Sequence, residues 1–332
     1  MRDLIGILKD KLSLSKLTLL SNSQTLSLHL AVLRTTSHSP STPPHHHHLT
    51  TLLSLGNTSR ATANTLILSL IHRLHRTTNS HVALKCLLTI HHIINQGPFI
   101  LKDQLSSLHP NGRRNYLKLS DFRDAASPAT WALSAWVRWY ARYLETILST
   151  SKFRGGFICS SSCSVLEREK QQDLISSVMN SDLIGDFGSL VGVVEEICKV
   201  PDNLLVEDDR MLAGVMELLA NDYLSTVNEL LLRLGEFKER VSVLSFDDSV
   251  ELGDSLERLM SCKATSLRLF CNRKASVEVL WEMVDELNDG IGMVHLGKLG
   301  REDGGSESAR FVDRVVRTSE YMRFPSGRLR LK

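Results

Sequence analysis

The chain has 332 residues, of which 42% are hydrophobic and 23% charged, with a formal net charge of +2. That balance belongs to a globular protein with a sizeable core, in one large domain or two small ones. It excludes a membrane-spanning protein, because no apolar run of about eighteen residues occurs. The N-terminus, MRDLIGILKDKLSLSKL, alternates charge with leucine and lacks the continuous apolar stretch of a secretory signal, so a cytoplasmic chain is expected. The six cysteines, at 86, 159, 163, 198, 262 and 271, are scattered, as free thiols in a reducing compartment would be. Cys159 and Cys163 have no second pair at zinc-ligand spacing, and neither a metal nor a cofactor is expected.

The small net charge hides an asymmetry. Residues 1–154 hold 18 Lys+Arg against 6 Asp+Glu, a balance of +12, and residues 155–332 carry −10. A basic half joined to an acidic half points to a polyanion met on one side only.

In chain order, residues 1–20 carry Leu4, Ile5, Ile7, Leu8, Leu12, Leu14 and Leu17, with Lys9, Lys11 and Lys16 between them. This segment is either an amphipathic helix lying on a membrane surface, where the lysines would be auxiliary contacts, or a helix packed on the core. Residues 24–35 place Leu26, Leu30 and Leu33 on one helical face, closed by Arg34. The stretch RTTSHSPSTPPHHHH (34–48) follows, and its prolines forbid a regular element. Four histidines, 45–48, then open the next helix, where backbone N–H groups favour anions. Leu49, Leu52 and Leu53 start that helix, and Ile67, Leu70, Ile71 and Leu74 make a third stripe. Val82, Cys86, Ile90 and Ile93 make a fourth, ended by Gly97-Pro98, with His91 and His92 inside it read as surface or satisfied core histidines. Ser127-Pro128 supplies an N-cap and a proline at the first helical position. Trp136, Tyr140, Tyr143, Leu144 and Ile147 then form an aromatic core stripe, and residues 151–163 read as a linker. Beyond it, stripes at 190–197 and 211–223 and helices near 246–270 and 276–289 are expected. No strand pattern appears, so the fold class is all-α, a solenoid or bundle.

Three separated blocks carry a family resemblance: LAVLRTTSH with the later PP and His48, HVALKCLLTIHHIINQG (81–97), and LKLSDFRDAASPATWALSAWVRWYARYL (117–144). Together they resemble the ANTH-domain clathrin assembly proteins of the ENTH/VHS superfamily, in particular the short plant members. The resemblance implies a right-handed α-solenoid of about ten helices. It implies binding to phosphatidylinositol 4,5-bisphosphate membranes and partnership with clathrin and SNARE cargo in endocytosis and vesicle budding. The places implied are clathrin-coated pits and vesicles and the Golgi. On that basis residues 1–23 form an N-terminal basic segment, 24–298 the solenoid, with 24–150 the lipid-binding half, and 299–332 a disordered basic tail. The family's head-group lysines and histidine fall on Arg34, His45, His47 and His48, so both later lysines are replaced by histidine while Arg34 keeps a cation.

The replacement predicts proton sensitivity. With an imidazole pKa near 6.5, four histidines carry roughly 0.7 charge at about pH 7.2 and roughly 3 at about pH 6. At about 1 kcal/mol per charge near an anionic leaflet, the gain is on the order of thirtyfold in affinity. The alternatives are a solvated low-complexity patch, or a protein-binding solenoid for SNARE cargo whose lipid site has degenerated. No GxxxxGK[ST], GxGxxG, HExxH or GxSxG stands in context, so no enzyme is expected. No clustered Arg/Lys reading helix suggests a nucleic-acid partner. No clathrin box, NPF or DPF peptide is present.

Overall fold

The computed structural model describes residues 5–8, 10–12, 23–39, 42–107, 117–158, 165–201, 209–270 and 274–302. Of the expected disordered tail, 299–332, the first four residues are instead the end of a helix that runs to Glu302, and the rest, like Cys159, Cys163 and Cys271, lies outside the described residues. Among them every regular element is a helix. A compact unit extends to Ile291, and a second begins at Gly292, whose described part is helical to Glu302.

The helices are α1 (Ser23–Thr35), α2 (His46–Gly56), α3 (Arg60–Arg76), α4 (Ser80–Gln96), α5 (Phe99–Ser107) and α6 (Pro128–Arg154). They continue as α7 (Val165–Ser176), α8 (Asn180–Cys198), α9 (Arg210–Arg240), α10 (Phe246–Ser261), α11 (Lys263–Leu269) and α12 (Lys274–Glu302). Within the first unit each helix rests on near neighbours in the chain: α1 on α2 and α3, α3 on α4 and α5, α4 on α6, α6 on α8, α8 on α9 and α10. That local stacking defines an all-α solenoid.

The boundaries follow from capping chemistry. Ser59 and Thr62 form a reciprocal capping box on α3, and Ser127 and Thr130 form another on α6, where Pro128 occupies the first turn. Asn79 caps α4 by accepting from Val82 N at 3.1 Å. Helix α6 runs further than expected, to Arg154, and ends at Gly155, whose φ of 71° is the left-handed cap that glycine adopts without cost. Its last turn is pinned from outside: Arg154 pairs with Asp186 of α8 at 3.0 Å and Glu229 of α9 at 2.6 Å. The stretch near 246–270 is two helices, broken at Cys262.

The stripes at 67–74, 82–93, 136–147, 190–197 and 211–223 supply the core. The face of α1 differs from the expected one. Leu28, Ala31, Val32 and Thr35 are its buried side, and Leu26, Leu30 and Leu33 are only half-buried. A small alanine and a threonine sit in the true stripe and give little hydropathy signal, whereas the leucines flank it.

At the centre, α4, α6 and α9 are joined by a polar knot. His91 is fully buried; its Nε2 donates to Asp222 Oδ2 at 2.6 Å, and its Nδ1 meets the Tyr140 hydroxyl at 2.7 Å. Tyr143 donates to the same carboxylate, and Asn95 Nδ2 donates to Asp222 Oδ1 at 3.0 Å. Burial would raise the Asp222 pKa, but the His91 charge and these hydrogen bonds outweigh it and hold the carboxyl below its ordinary value. Removing one partner leaves the others buried without their mate. Asp222→Ala is expected to lower unfolding stability by about 3–5 kcal/mol, read from urea denaturation, with Asp222→Asn falling in between.

Candidate functional site

The corner between α1 and α2 is built from the main chain outward. Thr35 and Thr36 each turn a hydroxyl back onto α1, donating to Ala31 O and Val32 O at 2.6 Å. This satisfies two carbonyls at the helix end and leaves Arg34 on the exposed side of the last turn. The chain then crosses 37–39 under the control of buried side chains. Lys85 of α4, 1% exposed, sends its Nζ to Ser39 O at 2.7 Å, Ser37 O at 3.1 Å and Ser39 Oγ at 3.1 Å. Arg73 of α3 donates from Nη2 to Thr36 O at 2.7 Å and to Asp10 Oδ1 at 3.0 Å. Asp10 also accepts from the His38 ring, at 2.7 Å.

The N-terminal segment therefore packs on the fold. Gly6 is buried against the His38 ring, and a Cβ there would lie 2.5 Å from His38 Cδ2. Ile5, Leu8, Lys11 and Leu12 stay exposed, while Lys9 and Lys16 lie outside the described residues. A cavity of about 770 Å³ opens beside this latch, walled by Ile5 and Leu12, His29 and Leu33 of α1, and His72 and Arg76 of α3.

Helix α2 begins without a side-chain cap. His45 occupies the N-cap with no capping hydrogen bond from its ring, and no acidic residue stands in the first turn. The leading N–H groups and the positive helix end are thus left for an outside partner. His45 and His47 are exposed, and His48 is half-buried between them, with ring centroids 5.9 and 5.6 Å away. Burial, then His47, His45 and Arg34, push the His48 pKa below its ordinary value. Arg34 is thus near enough for its charge to act on His48. Arg34, His45, His47 and His48 gather at one corner, whereas the lysines sit on a separate segment. His46 is exposed as well, its ring beside the Thr50 hydroxyl at 3.4 Å, and the pKa of His92 on α4 is pushed down to about 4 by burial, assisted by His91 and His46.

Sequence reasoning missed Lys85, Arg73 and Asp10, which shape the corner without being on its surface. A signal existed: Lys85 falls within the buried stripe of Val82 and Cys86, and a charge there must be met by oxygen.

The corner thus joins an uncapped helix start and an exposed arginine on an all-α solenoid. The ANTH domain family matches residues 27–182, which include the whole corner. An Arabidopsis thaliana protein named for clathrin assembly is 47% identical over 98% of this chain and 93% of its own length. A second Arabidopsis protein named in the same way is 30% identical over 86% of this chain and 84% of its own, and a third is 28% identical over 86% and 97%. The chain belongs to the ANTH-domain family.

The latch yields a test. Burial holds the Lys85 pKa down to about 8, from an ordinary 10.5. Below about pH 8 the amine is charged in both folded and unfolded chains, and burial of that charge is a standing cost. Between about pH 8 and 10 the unfolded chain holds the proton more tightly, so the cost is relieved as pH rises. Relative to Lys85→Met, which removes the titration, wild-type stability is expected to climb through that window by on the order of 2 kcal/mol, measured by urea unfolding.

Proposed function

We propose that the chain is a peripheral membrane adaptor that binds phosphoinositide head groups, phosphatidylinositol 4,5-bisphosphate first, and acts with clathrin in endocytosis and vesicle budding. The observation that carries the reading is the exposed Arg34 beside His48 at the uncapped start of α2. Arg34 supplies a planar fork for a phosphate. His45, His47 and His48 supply donors that strengthen when protonated, and the α2 backbone supplies N–H groups. The basic half, 24–150, faces the membrane in this reading, and the acidic half, 151–298, faces away. Lys9, Lys11 and Lys16 add attraction from the N-terminal segment. The names of the Arabidopsis relatives support the clathrin connection, and the described residues hold no helix long and apolar enough to cross a bilayer. The sites of action are coated pits and vesicles, with the Golgi as a second station.

The sign of the pH effect follows from His48. Its lowered pKa keeps it neutral near pH 7, and a bound phosphate, being anionic, raises that pKa again. Binding therefore takes up protons, and affinity rises as pH falls. Because Arg34 and the neighbouring rings oppose protonation of His48, the gain stays below the thirtyfold ceiling for four independent histidines.

A second reading, a SNARE-cargo solenoid with a degenerate lipid site, is favoured by the substitution of histidine at positions 45 and 47. Co-sedimentation with liposomes separates the two. Binding is expected to need phosphatidylinositol 4,5-bisphosphate, to fall about fivefold in Arg34→Ala, and to strengthen severalfold from about pH 7.4 to about pH 6. His45→Ala/His47→Ala/His48→Ala is expected to flatten the pH dependence and to leave the Arg34 effect in place. Lipid-independent behaviour at both pH values would overturn the head-group reading and send the search to SNARE pull-downs. Assembly of purified clathrin in the presence of the full chain tests the remaining clause.

A further inference from the structure

Away from the corner, two thiols from distant parts of the chain meet. Cys198 is the last residue of α8, and Cys262 sits at the break between α10 and α11. Cys198 Sγ donates to Cys262 O at 3.7 Å, and Cys262 Sγ donates to Arg258 O at 3.5 Å. Both thiols are free, the packing of α8 on α10 brings the Cys198 thiol onto the Cys262 backbone, and Cys198 is half-exposed whereas Cys262 is buried. We propose that Cys198 and Cys262 form an oxidisable pair, which a hydroperoxide converts to a disulfide fastening the end of α8 to the end of α10.

The surroundings divide the roles. The approach of Cys198 to Cys262 pushes the Cys198 pKa up and draws that of Cys262, which is 5% exposed, down to about 7, with Ser261 assisting and burial opposing. Cys262 is thus the nucleophile and Cys198 the resolving thiol. The Cys262 thiolate attacks one peroxide oxygen; the S–O bond forms, the O–O bond breaks, and the leaving hydroxide or alkoxide takes a proton from solvent. Cys198 then attacks the sulfenic sulfur; the S–S bond forms, the S–O bond breaks, and the hydroxide departs as water with the Cys198 proton. Two thiols give two electrons to one hydroperoxide, and reduction by a dithiol reverses the change. Cys86 is the internal contrast: it is fully buried, burial pushes its thiol up to about 12, and it stays unreactive.

The test treats the folded full chain with a few equivalents of hydrogen peroxide, blocks remaining thiols, and maps peptides without reduction. A Cys198–Cys262 cross-linked peptide is expected, lost on dithiothreitol treatment, with the thermal midpoint raised by about 5 °C in the oxidised chain. Cys198→Ser is expected to give no cross-link and no midpoint shift, but a sulfenic acid at Cys262 that dimedone traps. Cys198→Ser/Cys262→Ala, checked for helicity, controls for cross-links made elsewhere. If peroxide leaves both thiols free, or joins either one only to another cysteine, the proposal is overturned.

Discussion

A charged amine inside a protein must be surrounded by oxygen, and in this fold that requirement is met by main chain. Lys85 satisfies itself with the carbonyls of Ser37 and Ser39. The loop can therefore take one path, and that path sets where α1 ends and in which direction α2 begins. Arg73 imposes the same demand one residue earlier, on Thr36. A buried lysine and a half-buried arginine thus set the path of the loop. The polar knot around Asp222 repeats the logic deeper in the stack, where a carboxylate orders helices from three regions of the sequence. Hydrophobic stripes bring the helices together, and these few charges fix their register.

The sequence was most legible where one residue type does one job. Leu70 and Leu74, or Met211 and Val215, repeat at helical spacing because they are buried, and their helices were read correctly. Ser127-Pro128 announces a helix start because its hydroxyl and ring each have a single local role. Legibility failed where a position serves two masters. The α1 face was misread because Ala31 and Thr35 are chosen for close packing and for returning a hydroxyl to the backbone, and neither adds hydropathy. The long α6 was cut short because the ion pairs that hold Arg154 come from residues 32 and 75 positions away, which no local window contains. The candidate head-group residues were found through likeness to a family motif. Their latch was not, because Asp10, Arg73 and Lys85 meet only in three dimensions.

The change from lysine to histidine at the corner alters the physics of attraction more than its geometry. A lysine brings a permanent charge, whereas a histidine brings one only when the surroundings favour it. Burial and the crowding of His47, His45 and Arg34 around His48 make its proton harder to add. Such a cluster responds to the anion it meets as well as to bulk acidity, since the anion itself restores the lost basicity.

Asp10 has a bearing on that response. Burial works against its charge, yet the hydrogen bonds from His38 and Arg73 hold its pKa under the ordinary carboxylate value. Acid that charges exposed imidazoles is therefore far too weak to neutralise Asp10 and free the N-terminal segment. The corner can gain positive charge while its frame stays fixed, so charge and shape are independent variables on this surface.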